Sequence, residues 1–255
     1  MKIDVIGSGA IFTKYNSASY LIDDKILFDI PNGTCKKLMS MKKDVHKIRN
    51  VIITHFHADH YFDFPFLYLN QMSDEGKTTV YCNKDESYKL YELVKLGFPH
   101  RADIMNEHIS YNFENEFKIG KYKVKKVRVE HQEMINCYGY IFDDGNEKIG
   151  FTGDSNLCDG SIYLASICDY LISDCSYTEG KKSHLGIDNL QELLNKNSNL
   201  KIFTSILANS MYCFEIVQWK DPNKRKFAYE RYNMLKWIKQ NKFKIIDEFE
   251  REKEK

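Results

Sequence analysis

Short apolar runs separated by turn residues dominate the first part of the chain. Ile3–Ile6, Ser19–Ile22 and Ile26–Phe28 read as strands, with Gly7-Ser8-Gly9 and Asp23-Asp24 as turns. Gly7-Ser8-Gly9 precedes no clear helix, so it reads as a tight turn rather than a phosphate cradle. The β-branched run Val51–Thr54 suits a buried strand, and Thr78–Cys82 a further short one. Over Glu86–Leu96 the period lengthens: Leu90, Leu93 and Val94 recur at helical spacing.

The second part repeats this order of strands, then helices. Over Tyr122–Val129 apolar residues alternate with lysine and arginine, the pattern of half-buried strands. Tyr138–Phe142 and Lys148–Thr152 flank Asp143-Asp144-Gly145-Asn146 and predict a hairpin. Tyr170–Ile172 and Lys201–Thr204 predict core strands. Asp188 with Gln191 predicts a capping box opening a helix that turns Leu190, Leu193 and Leu194 inward. Phe227, Met234, Leu235 and Ile238 have helical spacing, and Phe243–Ile246 predicts a closing strand before a frayed tail at 250–255. No linker-like stretch separates the halves, so one domain over 1–255 is expected, with β layers inside and helices outside.

Composition narrows the class. The 255 residues are 43% hydrophobic and 29% charged, the balance of an ordinary globular protein. With 37 Lys and Arg against 36 Asp and Glu, the net charge of +1 argues against broad coating of nucleic acid. The seven cysteines (Cys35, Cys82, Cys137, Cys158, Cys168, Cys175, Cys213) are odd in number and form no CxxC, which implies reduced thiols and a cytoplasmic location. No apolar run is long enough for a membrane span or a signal peptide, so no membrane association is expected.

The candidate chemistry sits in Thr54-His55-Phe56-His57-Ala58-Asp59-His60. The chain holds only eight histidines, and three of them fall within these seven positions. His55 and His57 lie two apart on an extended stretch, so both imidazoles face one side. Asp59 and His60 follow where the chain turns. Imidazole with carboxylate is a ligand set for zinc, manganese or iron. His46, His100 and His108 lie in polar stretches and read as surface residues.

With this motif the chain resembles the metallo-β-lactamase superfamily, whose fold is an α/β, αβ/βα sandwich of two β-sheets flanked by helices. By that resemblance His131, after Val127-Arg128-Val129-Glu130, is the third histidine ligand. Asp154, in Phe151-Thr152-Gly153-Asp154, is the carboxylate shared by two metals. Gly7-Ser8-Gly9-Ala10, Leu27-Phe28-Asp29 and Ser183-His184-Leu185-Gly186 resemble the ribonuclease Z-like, small-phosphodiesterase branch. The resemblance implies one or two Zn²⁺ (or Mn²⁺ or Fe²⁺) held by His55, His57, Asp59, His60, His131 and Asp154. It further implies a hydroxide oriented by Asp59, His184 protonating the leaving oxygen, and a homodimer as a common state.

Two departures bear on function. The superfamily's last metal-ligand histidine is replaced by Ser205, and no histidine follows His184. Three protein ligands and water still suffice for a catalytic zinc, so the second metal is weakened rather than abolished. Only 23 positions separate His131 from Asp154, room for a hairpin but not for the long tRNA-clamping arm of ribonuclease Z enzymes. A small phosphodiester such as a cyclic nucleotide is therefore the expected substrate, and tRNA is not. The alternatives are an acyl hydrolase of lactonase or thioesterase type on the same metals, or a degenerate binding protein.

Overall fold

The computed structural model describes residues 1–11, 15–177, 179–197, 199–205 and 244–245. Cys213, the helical pattern from Phe227 to Ile238 and the tail at 250–255 lie outside these residues. The chain divides into two compact units, Met1–Gly7 with Asn16–Glu114, and Ser8–Tyr15 with the chain from Asn115 onward.

The first unit carries a six-stranded sheet in the order β1 (Ile3–Gly7), β2 (Ser19–Ile22), β3 (Ile26–Phe28), β4 (Asn50–Ile52), β5 (Thr78–Tyr81), β6 (Ile109–Asn112). The tight turn at Asp23-Asp24 makes β2 and β3 antiparallel, whereas β3 to β6 run parallel through helical crossovers. Those crossovers hold α1 (Thr34–Ser40), α2 (Ala58–Tyr61), α3 (Phe64–Gln71), α4 (Tyr88–Gly97), α5 (Pro99–Ala102) and α6 (Met105–His108). Leu27, Val51, Val80, Leu67, Leu90 and Val94 meet in one core. Burying each is worth roughly 1.5–3 kcal/mol. The helix expected over Glu86–Leu96 begins two residues later, at Tyr88, after a single 3₁₀ turn over Lys84–Glu86. The strand expected over Val51–Thr54 spans Asn50–Ile52, which leaves Thr54, His55 and His57 on irregular backbone before His60 in α2.

The second unit carries a seven-stranded mixed sheet in the order β13, β12, β11, β10, β9, β8, β7. Its elements are β7 (Glu116–Ile119), β8 (Tyr122–Val129), β9 (Cys137–Asp143), β10 (Lys148–Phe151), α7 (Asp159–Ile167), β11 (Tyr170–Asp174), α8 (Ile187–Lys196), β12 (Lys201–Ser205) and β13 (Lys244–Ile245). The predicted hairpin is β9–β10, with Phe151 opposite Tyr140. From β10 onward the strands are parallel, so the C-terminal ends of β10, β11 and β12 share one edge. Val127, Val129, Leu164, Leu171, Leu190 and Leu193 form the core against α7 and α8. At Gly160 a Cβ would overlap the Arg128 carbonyl, so only glycine lets α7 sit this close to β8.

The capping box expected at Asp188 is displaced. Helix α8 starts at Ile187, with Gly186 before it, and Asn189 Oδ1 accepts from the Gly186 N–H at 3.1 Å. Asp188 instead accepts from Gly180 N at 2.8 Å, which ties the preceding loop to the helix. Among the described residues all six cysteines are free thiols. No described helix is long and apolar enough to cross a membrane.

Candidate metal centre

In the first unit the chain leaves β4 and turns into α2, and the motif lies across that turn. His55 and His60 are buried, while His57 and Asp59 are partly exposed. His55 Nε2 lies 2.9 Å from His57 Nδ1, and the His55 and His60 rings stand 4.0 Å apart. Asp59 Oδ2 is 3.8 Å from His60 Nε2.

Behind the histidines stands a residue that sequence reasoning did not assign to the site. Asp29 follows β3, is buried, and adopts the left-handed region at φ 54. Its Oδ1 accepts from Thr54 N at 2.8 Å, and its Oδ2 accepts from Thr54 Oγ1 at 2.8 Å and from His60 Nδ1 at 2.8 Å. Thr54 Oγ1 spends its single proton on Asp29, so toward His55 Nδ1, 3.1 Å away, it can only accept. Both His55 and His60 therefore carry their proton on Nδ1 and present the Nε2 lone pair. Burial pushes the Asp29 carboxyl above the usual carboxylate range, with His60 and Thr54 pulling the other way.

In the second unit, His131, Asp154 and His184 bring one ligand atom each within 4.8 Å of one another. His131 Nδ1 donates to the Ser183 carbonyl, so its Nε2, 3.8 Å from Asp154 Oδ2, carries the lone pair. Asp154 follows Gly153, whose φ of 61 turns the chain sharply out of β10. Thr152 Oγ1 supports that turn, donating to Gly153 O and accepting from Asp174 N at 2.8 Å.

His184 has its own buried carboxylate, also absent from the sequence-level set. Asp174, at the end of β11, accepts from His184 Nδ1 at 2.7 Å, from Ser176 Oγ at 2.7 Å and from Ser155 N at 3.3 Å. Burial pushes the Asp174 carboxyl up, while the His184 hydrogen bond pulls it down. The imidazole is thus fixed with Nδ1–H toward Asp174. Cys168, by contrast, is pushed up to about 12 by burial, which keeps it a thiol.

Each of the two groups fits a divalent ion by its donor chemistry. Every buried histidine uses Nδ1–H on a protein acceptor and turns Nε2 toward its neighbours, as metal-binding imidazoles do. Asp29 and Asp174 each follow or end an apolar strand, in Leu27-Phe28-Asp29 and in Leu171-Ile172-Ser173-Asp174, a pattern too common by itself to mark a site. His46, expected on the surface, is exposed there and hydrogen-bonds Asp74 at 2.9 Å.

Ribonuclease Z of Thermococcus kodakarensis is 29% identical over 125 residues, 48% of this chain. The match spans only 38% of that relative's length. The fold is shared with the metallo-β-lactamase fold protein YhfI of Bacillus subtilis, with a TM-score of 0.67 and 20% identity over 81% of this chain and 86% of that one. It is shared as well with human tRNase Z, short form, at a TM-score of 0.65 and 19% identity over 82% and 93% of the two chains. The predicted metallo-β-lactamase fold is therefore the observed one. The model of the anti-Pycsar protein Apyc1 family matches residues 1–215, and the chain belongs to that family.

Proposed function

We propose that this protein is a metal-dependent hydrolase acting on a small phosphodiester, with a cyclic nucleotide as the leading substrate class. The observation that carries the reading is the Asp174–His184 pair beside His131 and Asp154. A buried carboxylate holding a histidine at Nδ1 leaves Nε2 as an acid for an oxygen leaving group. The ribonuclease Z relatives, whose name denotes cleavage of RNA, support phosphodiester chemistry. The short His131–Asp154 connection and the near-zero charge favour a small substrate over tRNA.

In this reading His55, His57, His131 and Asp154 hold a first divalent ion, and Asp59, His60 and Asp154 a second. Zinc suits the nitrogen-rich set best, with manganese or iron as substitutes. When bound, the ions would supply Lewis acidity, lowering the pKa of water to about 7 and taking up charge on the phosphoryl oxygens. The chain's own residues do the rest. Asp29 and Thr54 orient His60 and His55. Asp59 orients the attacking water, whose oxygen forms the new P–O bond. As the bond to the ribose oxygen breaks, His184 Nε2 gives that oxygen its proton, and Asp174 stabilises the imidazole throughout.

The test is a screen of the metal-loaded protein against bis(p-nitrophenyl) phosphate, 2′,3′- and 3′,5′-cyclic nucleotides and a homoserine lactone. Turnover of the phosphodiesters, lost with a chelator and restored by Zn²⁺ or Mn²⁺, is expected. Lactone turnover alone would replace the reading with acyl hydrolysis, and metal content below one per chain after loading would replace it with a binding role.

A further inference from the structure

Asn156 ties three chain segments together, and no part of the ligand set or acid pair includes it. It stands two residues after Asp154. Its backbone N–H donates to the Glu130 carbonyl at 2.7 Å, the residue before His131. Its side-chain Nδ2 donates to the Lys182 carbonyl at 2.8 Å, two residues before His184. Its own carbonyl accepts from Ser155 Oγ at 2.8 Å and Ser161 Oγ at 3.0 Å, the latter in the first turn of α7. The three segments it joins are those that carry His131, Asp154 and His184.

The loop it reaches is also tied by Gly180 N to Asp188 Oδ1 at 2.8 Å and, at its ends, by Ser176 Oγ and His184 Nδ1 to Asp174 at 2.7 Å. From Ser176 to Gly186 the chain leaves the sheet, with Lys181 and Lys182 exposed. It is closed internally by Lys181 N to His184 O at 2.9 Å and Ser176 N to Leu185 O at 3.0 Å. Its ties to the Asp154 and His131 segments include bonds to two consecutive carbonyls: Asn156 to Lys182, and His131 Nδ1 to Ser183. The His131 bond depends on a side chain that also ligates, whereas the Asn156 bond has no other task. An acid misplaced by about 1 Å can cost on the order of 10²-fold in rate, so a single hydrogen bond at this point has leverage over the chemistry.

We infer that Asn156 is a positioning residue for the acid step: its Nδ2–H fixes the loop that sets His184 Nε2 against the leaving oxygen. This rests on the phosphodiesterase reading for its catalytic consequence, but the tie itself is a property of the chain. The consequence is selective. A p-nitrophenolate leaves without a proton, whereas a ribose alkoxide must receive one. Loss of the tie should therefore slow the second substrate and spare the first, a pattern that general weakening of the fold would not produce.

The decisive variant is Asn156→Leu, close in shape but without the donor, with Asn156→Ala as a second should the first fail to fold. The backbone bond to Glu130 survives in both. Two measurements apply to the full chain loaded with Zn²⁺. The kcat for a cyclic nucleotide should fall about 10-fold or more, with KM, zinc content and kcat for bis(p-nitrophenyl) phosphate within about 2-fold of the parent. Separately, amide exchange at Lys181 should quicken by about 10-fold while β11 is unchanged, a readout that needs no substrate. Equal loss on both substrates, or unchanged exchange at Lys181, overturns the inference. If the parent hydrolyses neither phosphodiester, the functional reading fails and the exchange result alone decides whether Asn156 holds the loop.

Discussion

Asp174 accepts a hydrogen bond from His184 Nδ1 at 2.7 Å while entirely buried at the end of β11. The carboxylate is further held by Ser176 Oγ and Ser155 N, so its orientation is over-determined and that of the imidazole follows from it. A histidine so held has its Nδ1 committed to a carboxylate, which fixes the plane of the ring and the direction of Nε2.

Replacing the carboxylate by its amide tests that role. Asp174→Asn keeps the shape but allows the amide to donate, which favours the wrong tautomer of His184. Turnover of a cyclic nucleotide should fall by about 10²–10⁴-fold with zinc content unchanged. Metal loss in parallel with activity would instead make Asp174 part of the metal site. Zinc measured by mass spectrometry beside steady-state kinetics separates the two outcomes.

Asp29 plays the matching part in the first unit, where it fixes both His60 and, through Thr54, His55. Asp29→Asn tolerates the left-handed backbone, since asparagine adopts it readily, but weakens acceptance at Oδ2. Zinc affinity should fall by about 10–100-fold, read by competition with a chromophoric chelator. An unchanged affinity would show that the packing of the two rings suffices to aim them.

Most of the architecture could be read from local patterns because those patterns are local in origin. The alternation in Tyr122–Val129 and the turn at Asp143–Asn146 reflect which face of a strand meets the core, so β8 and the β9–β10 hairpin appear where expected. The motif of His55, His57, Asp59 and His60 was legible for a similar reason: its members are neighbours in sequence. Asp29 and Asp174 were not, because their meaning lies in contacts 25 to 31 and 10 residues away. A carboxylate after an apolar strand is ordinary until the fold shows what it faces. The start of α8 escaped for a smaller reason. Both Asp188 and Asn189 can cap, and the loop from Gly180 takes the first, leaving the second to serve Gly186.

Away from the site, Lys43 links β1 to the β2–β3 turn. Its Nζ lies 2.6 Å from Asp4 Oδ2 and 2.8 Å from Asp24 Oδ1, with the Lys43 and Asp4 side chains largely covered. At Asp4, burial alone would raise the carboxyl, but the hydrogen bonds from Lys43 and Lys2 outweigh it and hold it below 3.8. Lys43 likewise holds Asp24 down. Because both folded values are depressed, the stabilisation is present above the unfolded value near 4 and is lost as pH falls through the folded ones. Lys43→Met should therefore lower stability at pH 7 by about 1 kcal/mol, a shift of roughly 2–4 °C in Tm. The gap between parent and variant should close near pH 3. A gap that persists there would mean that Lys43 acts through its aliphatic stem, not its charge.

The last prediction concerns the position where the superfamily's final histidine is missing. Strands β11 and β12 are parallel and in register, and Ser205 pairs with Asp174 at their common end. The replaced position thus sits on the same sheet edge as the buried carboxylate of the acid pair, one strand over. If the second ion is held only by Asp59, His60 and Asp154, it should be bound more weakly than the first, since one neutral nitrogen donor is absent. Ser205→His restores that donor to the chain without altering the first group. Zinc content after dialysis should rise from about one toward about two per chain, with a parallel gain in turnover of bis(p-nitrophenyl) phosphate. A rise in zinc without a gain in turnover would assign the chemistry to the first ion alone. Unchanged zinc would mean that the end of β12 does not face the ligand cluster, and the two-ion arrangement would have to be abandoned.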